Sequence, residues 1–249
     1  MDSLQANFCA DLMQVRRNSS HSAIFREMGL SPVSIIAMRR KLLYWSRLHK
    51  LPEATWARKA LEECFSDAWT SKYKTEIQAF LGKCPIDPSF KPSQVRNAVS
   101  KFSHQNEIQS IKMQRDHSLK YFPDYPSGMG RQSYINYSEE SSIITKFRLG
   151  NAELGNRDHP PILICPSCNN GPNDELHLVF SCPAMDNLRE EVWMQAVLDE
   201  AVPKHSFDKD DPMTLRMFLG EDLCSAETLQ KRGKFLSILQ QKHFESINK

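Results

Sequence analysis

The chain has 249 residues, which is enough for one large domain or two modest ones that each bury a core. Its hydrophobic content of 40% and charged content of 25% are ordinary for a soluble globular protein. No stretch approaches the roughly 18 apolar residues that a membrane span needs, so a membrane partner is not expected. Residues 1–120 carry 19 Lys and Arg against 11 Asp and Glu, whereas the rest carries 13 against 19, so only the first half is expected to attract a polyanion by charge.

The seven cysteines do not indicate a disulfide framework. Their number is odd, and the N-terminal stretch MDSLQANFCADLMQVRR is typical of an amphipathic helix and not of a secretion signal. An intracellular location is therefore expected, and reducing compartments keep thiols free. Four cysteines are isolated in the sequence and are expected to be small buried side chains: Cys9, Cys64, Cys84 and Cys224.

The spacing of apolar residues is helical along most of the first half. A first helix is predicted with Leu4, Phe8, Leu12 and Val15 as its apolar stripe. The strongest helix follows, with Ser31 as its cap, Pro32 in its first turn and Pro52 as its end. Its predicted buried stripe consists of Ile35, Met38, Leu42 and Trp45. One long helix is predicted over 54–81 and another over 93–119.

The segment YFPDYPSGMGRQSYINYSEE is the clearest linker, with two prolines, two glycines and no helical period. We therefore predict a basic helical domain over 1–120, a linker over 121–138 and a second domain over 139–249. The second domain begins with a short helix that Gly150 ends, and it continues with helices over 183–202, 211–220 and 225–249. Strand signals are nearly absent, so the predicted class is mainly α: a helical bundle followed by a small zinc-stapled helical segment.

Residues 165–182, CPSCNNGPNDELHLVFSC, carry three cysteines and a histidine in the order C-x2-C-x8-H-x4-C. Thiolates and imidazole are the ligands that Zn2+ takes in tetrahedral sites, and a C-P-x-C turn brings two sulfurs close together. Asn173 is expected to cap a short helix that presents His177, and Pro183 ends that helix. The sequence therefore predicts one zinc ion held by Cys165, Cys168, His177 and Cys182.

Two other interpretations of these residues stay open: a redox-active CxxC pair, and cysteines that lie in a core by coincidence. Pro166 and the loop after Cys168 argue against the helix start that lowers the pKa of a redox thiol. A catalytic zinc keeps one coordination position for water, whereas four protein ligands leave none, so a structural role is expected. Metal binding worth roughly 10–16 kcal/mol would be enough to fold the loop-rich residues 151–183.

The zinc segment resembles the C-terminal end of reverse transcriptases from non-LTR retrotransposons, the long interspersed elements. The similarity lies in ITKFRLGNAELGN, ICPSC and NDELHLVFSCPAMDNLR. The stretch MGLSPVSIIAMRRKLLYWSRLHKLPEATWARKALEE is similar to the helical region that follows the polymerase palm in the same elements, so the resemblance covers most of residues 1–190. The positions that match the family pattern in the zinc segment are Arg148, Gly150, Cys165, Cys168, His177, Cys182, Pro183 and Arg189.

The resemblance implies thumb-like helices and a zinc-binding tail without fingers or palm. The metal-binding aspartates of a polymerase are also missing, since the only Asp pair, Asp210–Asp211, stands in a polar stretch ahead of a helix. We therefore expect no enzymatic activity and no small-molecule substrate. The isolated histidines have no nearby nucleophile or carboxylate pattern and are expected on the surface or in a core: His104, His117, His159 and His243.

Residues 31–60 carry seven basic residues and a single acid, Glu53. Arg40 and Arg47 lie seven residues apart and so share one face of a helix. The resemblance implies that such a face contacts the phosphates of a template–primer duplex. The alternative is a solvated helix face without a partner. The candidate nucleic-acid contacts are Arg39, Arg40, Arg47, Lys50 and Arg148.

Three functions stay open at this point. The first is a non-catalytic remnant or fragment of a retroelement reverse transcriptase that binds RNA or DNA and a structural zinc. The second is a protein-interaction adaptor that docks a partner through its acidic C-terminal helices, with Leu215, Met217, Phe218, Leu236 and Leu239. The third is a decayed reading frame without a selected role. The expected location is nuclear or cytoplasmic, and only the resemblance favours the nucleus.

Overall fold

The computed structural model describes residues 1–66, 72–83, 86–114, 119–120, 122, 138–152, 154, 163–201, 208–219 and 225–247. Within them the prediction of a mainly α fold is confirmed, because the only β-type pairing described is an isolated antiparallel bridge between Ile164 and Pro172. None of the described helices combines the length and the apolar composition needed to cross a lipid bilayer. The α-helices are α1 Asp2–Leu12, α2 His21–Met28, α3 Val33–His49, α4 Trp56–Phe65, α5 Lys72–Lys83, α6 Pro92–Gln114, α7 Glu139–Arg148, α8 Asp186–Arg189, α9 Val192–Ala201, α10 Pro212–Phe218 and α11 Ala226–Ile247.

The chain forms two compact units. Unit 1 comprises Met1–Gln5 and Ser31–Gln109, and unit 2 comprises Ala6–Leu30 and Ser110–Lys249. These units differ from the predicted domains 1–120 and 139–249, because Ala23 and Ile24 of α2 are buried in the same core as Phe147 of α7. The predicted linker 121–138 lies outside the described residues, apart from Phe122 and Ser138.

Helix α3 provides much of the core of unit 1. Leu42 and Trp45 are buried there, and Ile35 and Met38 pack partly buried against the same core, as the predicted stripe requires. Apolar residues recur at every third or fourth position of α3, so one side of the helix faces the core. Arg40 and Arg47 lie on the opposite side.

The start of α3 is capped by residues other than the predicted Ser31. The helix begins at Val33, and its first N–H groups are bound by side chains of α1 and not by Ser31. The Val33 N–H donates to Gln5 Oε1 at 3.0 Å, and the Ser34 N–H donates to Asp2 Oδ1 at 2.8 Å. A capping group far away in sequence therefore satisfies donors that the helix itself cannot.

The single helix predicted over 54–81 is wrong, because two helices, α4 and α5, occupy this range. Extended backbone at Ser66 ends α4. The break lets both helices contribute to one core, in which Leu61 of α4 and Ile77 of α5 are buried. The rings of Phe65 and Tyr73 meet edge to face, with centroids 6.3 Å apart.

Helix α1 is present, but three residues of its predicted apolar stripe, Leu4, Phe8 and Leu12, are exposed, whereas Val15, beyond the end of the helix, is buried. Leu4 is 75% and Phe8 is 63% exposed. The buried side of α1 instead carries Ala6, Cys9 and Ala10. Small side chains let a helix approach its neighbours closely, so the large apolar residues of α1 do not identify its packed face.

Helices α7 and α11 pack against each other in unit 2. A Cβ atom on Gly233 of α11 would lie 2.5 Å from the Glu140 carbonyl oxygen of α7, so only glycine fits at this crossing. The Ser142 hydroxyl of α7 donates to the Met13 carbonyl at 3.1 Å, which connects α7 to the residues that follow α1. The helix predicted over 183–202 is divided into a 3-10 turn at Pro183–Met185 and the helices α8 and α9.

Candidate metal centre and nucleic-acid contacts

Cys165, Cys168, His177 and Cys182 converge, and their ligand atoms all lie within 4.8 Å of one another. The Cys165 and Cys182 sulfurs are 3.7 Å apart, and the Cys168 sulfur lies 3.3 Å from His177 Nε2. A tetrahedral zinc with Zn–S bonds of about 2.3 Å places its sulfurs ~3.8 Å apart, whereas a disulfide requires about 2.05 Å. The sulfur pair therefore has the spacing of metal ligands and not of a disulfide.

A tight loop between Cys165 and Gly171 presents the first two sulfurs. The Cys165 N–H donates to the Gly171 carbonyl at 3.0 Å, and the Asn169 N–H donates to the Cys165 carbonyl at 2.8 Å. Gly171 has a φ of +114°, and a Cβ atom there would lie 2.6 Å from Cε1 of His177. Glycine at 171 is thus needed both by the backbone and by the imidazole that packs on it.

His177 is presented by a π-helical turn, His177–Ser181. The cap that precedes it is Asp174, whose Oδ1 accepts the His177 N–H at 2.8 Å, and not Asn173 as predicted. The Asn173 amide instead donates to the Leu154 carbonyl at 2.6 Å. The Cys182 N–H donates to the His177 carbonyl at 2.7 Å, and this wide i to i+5 turn brings the fourth ligand back beside the third.

Arg189 closes the far side of this turn. Its guanidinium donates to the carbonyls of Leu178 at 3.3 Å and Val179 at 3.4 Å, and also to the Cys182 carbonyl. A further bond of 2.6 Å joins it to Asp186 Oδ1. The buried guanidinium of Arg189 thus donates hydrogen bonds to carbonyls at the end of the π-helical turn and stabilises the segment that carries His177 and Cys182.

His243 of α11 connects the same loop to the C-terminal helix. Its Nδ1 lies 2.7 Å from the Ser167 hydroxyl, and its Nε2 lies 3.1 Å from the Leu154 carbonyl. Burial lowers the pKa of His243, so the ring is neutral, donates from Nε2 and accepts at Nδ1. The expectation of a surface or core histidine is confirmed as a core histidine, but its partner lies 76 residues away and cannot be identified from local sequence.

Without a metal ion, burial favours the neutral forms of the Cys182 thiol and the His177 imidazole. Burial, and secondarily the neighbouring Cys165, raises the pKa of the Cys182 thiol to about 12. Burial also lowers the pKa of His177, which leaves its imidazole neutral and able to bind a metal. Three sulfurs and one imidazole form a donor set that fits Zn2+, and a zinc ion would supply the positive charge that replaces the thiol protons.

Two basic residues of α3, Arg40 and Arg47, lie on its outer face. Arg40 and Arg47 are exposed, and neither forms an ion pair with another described residue. Arg39 is partly buried on the same helix. Lys50 follows α3, and its Nζ donates to the Phe90 carbonyl at 2.6 Å.

Arg148 requires a correction as a candidate nucleic-acid contact. Its side chain is 0% exposed. Its Nε donates to the Leu219 carbonyl at 2.7 Å, and one terminal nitrogen lies 3.2 Å from Glu27 Oε2, which is equally buried. The carboxylate and the carbonyl already use this guanidinium, so no phosphate reaches it.

The residues expected to dock a protein partner are also placed differently. Leu215, Phe218, Leu236 and Leu239 are fully buried in the core of unit 2, and Met217 packs partly buried against it. The Phe218 ring meets Phe180 of the metal segment edge to face at 5.9 Å. These side chains therefore hold unit 2 together and form no docking surface.

The chain was compared with models of known protein families, with curated proteins and with solved structures, and none of them matched. Any inference about function must therefore start from the chemistry of the Cys and His cluster and of the exposed arginines of α3.

Proposed function

We propose that this chain is a non-catalytic, zinc-stabilised module that binds nucleic acid, derived from the C-terminal part of a retroelement reverse transcriptase. The observation that carries the proposal is the convergence of three cysteines and one histidine within 4.8 Å. The resemblance in ITKFRLGNAELGN and NDELHLVFSCPAMDNLR supports the retroelement origin. In this proposal zinc folds the second unit, and the first unit contacts the nucleic acid.

The zinc has a structural role in this proposal. Three thiolates and one imidazole fill a tetrahedral shell and leave no position for a water or a substrate. The turn at Gly171, the Asp174 cap and the hydrogen bonds of Arg189 fix the positions of the four ligand side chains, and none of these groups takes part in a reaction. The completed site carries a formal charge of −1, so it repels phosphate and favours a contact elsewhere in the chain.

The basic face of α3 is the proposed contact with phosphate. Arg40 and Arg47 are exposed one above the other on this face. Within residues 31–60 seven basic residues stand against Glu53 alone, so the local field is positive. Each phosphate neutralised on duplex DNA contributes about 0.9 to the slope of log affinity against log salt, which makes the contact measurable.

The test is a titration of a labelled 20-base-pair RNA–DNA hybrid at two salt concentrations. The native chain should bind more weakly at the higher salt, and the variants Arg40→Glu and Arg47→Glu should lower both the affinity and the salt slope. Lys242→Glu on α11 makes the same change of charge on an exposed side chain of unit 2 and is the matched control. An affinity that ignores salt and both α3 reversals would contradict the proposed contact.

A further inference from the structure

Two aromatic side chains of unit 1 are exposed among its basic residues. Trp56, at the start of α4, is 88% exposed, and Tyr44, on α3, is 56% exposed. Tryptophan is highly buried on average in folded proteins, so a nearly complete exposure of its ring is informative. Both rings belong to the same 31–60 segment that carries the excess of positive charge.

Packing of the helix pair explains why Trp56 points outward. Arg58 anchors the first turn of α4 on the end of α3, because one of its terminal nitrogens donates to the His49 carbonyl at 3.0 Å. The His49 ring in turn packs edge to face on buried Trp45, with centroids 4.8 Å apart. Residues two apart on a helix point about 200° apart, so the contact made by Arg58 directs Trp56 away from α3.

Charged groups surround both rings. The Lys59 ammonium lies 6.0 Å from the centroid of the Trp56 ring, at the limit of a cation–π contact, and the ring stays almost fully exposed. Tyr44 stands between Arg40 and Arg47 on one face of α3, at helical spacings of four and three residues. Each ring is therefore a flat apolar surface next to a cation.

Two of the acidic groups near these residues are already paired with other cations, whereas Glu63, four residues after Lys59 on α4, is exposed. Glu62 of α4 is paired with Arg58 at 2.7 Å, and Glu76 of α5 is paired with Lys41. Glu53, three residues before Trp56, is the one acid within residues 31–60. Two patches result: Arg40, Tyr44 and Arg47 on α3, and Trp56 and Lys59 on α4. In each of them an exposed aromatic ring stands beside a cation, and we call the two patches together the stacking surface.

We propose that the stacking surface binds single-stranded nucleic acid, with bases stacked on Tyr44 and Trp56 and phosphates held by Arg40, Arg47 and Lys59. This inference rests on the proposed function and makes it specific, because it names the strand state of the ligand. In a duplex the faces of the bases are covered by their neighbours, whereas an unpaired base presents a face that every aromatic ring can stack on. Exposed rings beside cations are the combination that single-strand binding uses.

A protein partner is the other occupant that aromatic and arginine side chains serve. The observations favour nucleic acid, because the two patches offer three cations and two rings, and two nearby acids, Glu76 and Glu62, are already paired. In a nucleic-acid strand the phosphates match the cations and the bases match the rings. A protein partner would need both acidic side chains for the cations and flat side chains for the rings. An acidic polypeptide is therefore included in the test.

The experiment measures fluorescence anisotropy with labelled (dT)15, alone and after pairing with (dA)15, and with labelled 15-residue polyglutamate. The variants Tyr44→Ala and Trp56→Ala remove a ring without changing charge. Each should weaken binding of the single strand about 5-fold to 150-fold, with a smaller loss on the duplex and an unchanged salt slope. Phe8→Ala removes a ring on α1 that is 63% exposed, between the exposures of Tyr44 and Trp56, and that lies outside the stacking surface; it should change nothing.

A second readout follows the tryptophan itself. Stacking of a base on Trp56 should quench part of the intrinsic emission when (dT)15 is added, and Trp56→Ala should lose that part. Both substitutions affect exposed side chains, and unchanged thermal unfolding of the variants shows that they fold.

The outcomes separate this inference from the proposed function. If Arg40→Glu and Arg47→Glu weaken binding while both ring variants bind like the native chain, the stacking inference is overturned and the proposed function stands. An equal loss on single strand and duplex, or a tighter complex with polyglutamate than with (dT)15, also overturns the inference. If none of the four variants changes binding of either nucleic acid, both proposals fail.

Discussion

The ion pair between Arg148 and Glu27 is the most deeply buried charged contact among the described residues. Both side chains are 0% exposed, and the guanidinium also binds the Leu219 carbonyl. The pair therefore joins α7, α2 and the end of α10 inside unit 2. Removing a charge from water is costly, so such a pair stabilises a fold only when its hydrogen bonds are complete.

Substituting one partner of this pair should destabilise unit 2 strongly. In Arg148→Met the buried Glu27 carboxylate loses the guanidinium and the Leu219 carbonyl loses a donor, so we expect a loss of about 3–5 kcal/mol in the free energy of unfolding. The double variant Arg148→Met, Glu27→Met should lose less than the single one, because it leaves no buried carboxylate that has lost its guanidinium. Denaturant unfolding followed by circular dichroism measures both.

The matched control for this prediction is the exposed pair of Arg17 and Asp11, whose side chains are 2.8 Å apart. Water solvates both groups, so Arg17→Met should change stability far less than Arg148→Met. Equal effects of the two substitutions would show that burial of the Arg148 pair does not determine its contribution.

Single residues also show what the sequence can and cannot predict. The four candidate metal ligands lie within 18 residues, so local spacing is enough to predict that they meet. The role of Arg148 is not predictable in this way, because Glu27 lies 121 residues away and nothing near Arg148 in the sequence indicates burial. The same holds for His243, whose hydrogen-bond partner Ser167 belongs to the metal loop.

At the scale of helices, the crossing of α7 and α11 depends on Gly233. Alanine in place of glycine ordinarily stabilises a helix by about 0.5–1 kcal/mol. At Gly233 the added methyl group would lie 2.5 Å from the Glu140 carbonyl oxygen, and this backbone atom can move away only if the whole helix shifts. The sign of the effect should therefore reverse at this position.

Gly233→Ala should lower the free energy of unfolding by about 1–3 kcal/mol, the range of overpacked cores. Gly82→Ala on α5 is its control, because a Cβ atom there meets nothing within 4 Å. That variant should be neutral or more stable than the native chain. The unfolding temperatures of the two variants, measured beside that of the native chain, test this prediction. A higher unfolding temperature for Gly233→Ala would contradict the close crossing of α7 and α11.

Helices themselves are more predictable than their packing. The stripe of α3 identifies its buried side correctly, because the side is continuous and lined by large apolar residues. On α1 the large residues Leu4 and Phe8 are outside and Ala6 and Cys9 are inside, so periodicity identifies a helix but not the face that packs. The apolar spacing over 54–81 predicts one helix, but α4 ends at Ser66, and Ser66 and the next residue, Asp67, are poor helix formers.

At the scale of the molecule, two of the four candidate metal ligands belong to the main core of unit 2. Cys165 and Cys182 are fully buried in the same cluster as Phe147 of α7 and Leu236 of α11. The metal segment is therefore not an appendage, and binding of zinc there would contribute directly to the folding of unit 2. The composition and charge of the sequence predict two regions but not that residues 6–30 fold with the second one.

The measurement that tests the zinc site most directly is metal content. The native chain, purified without added chelator, is analysed by inductively coupled plasma mass spectrometry beside two variants. The double variant Cys168→Ser/His177→Ala removes two ligands. The control variant Cys64→Ser removes an isolated, half-buried thiol of unit 1. We predict about one zinc per chain in the native protein and in Cys64→Ser, and none in the double variant, because a tetrahedral site that loses two of four ligands does not close. A native chain that folds without zinc, or a double variant that retains it, would contradict the account.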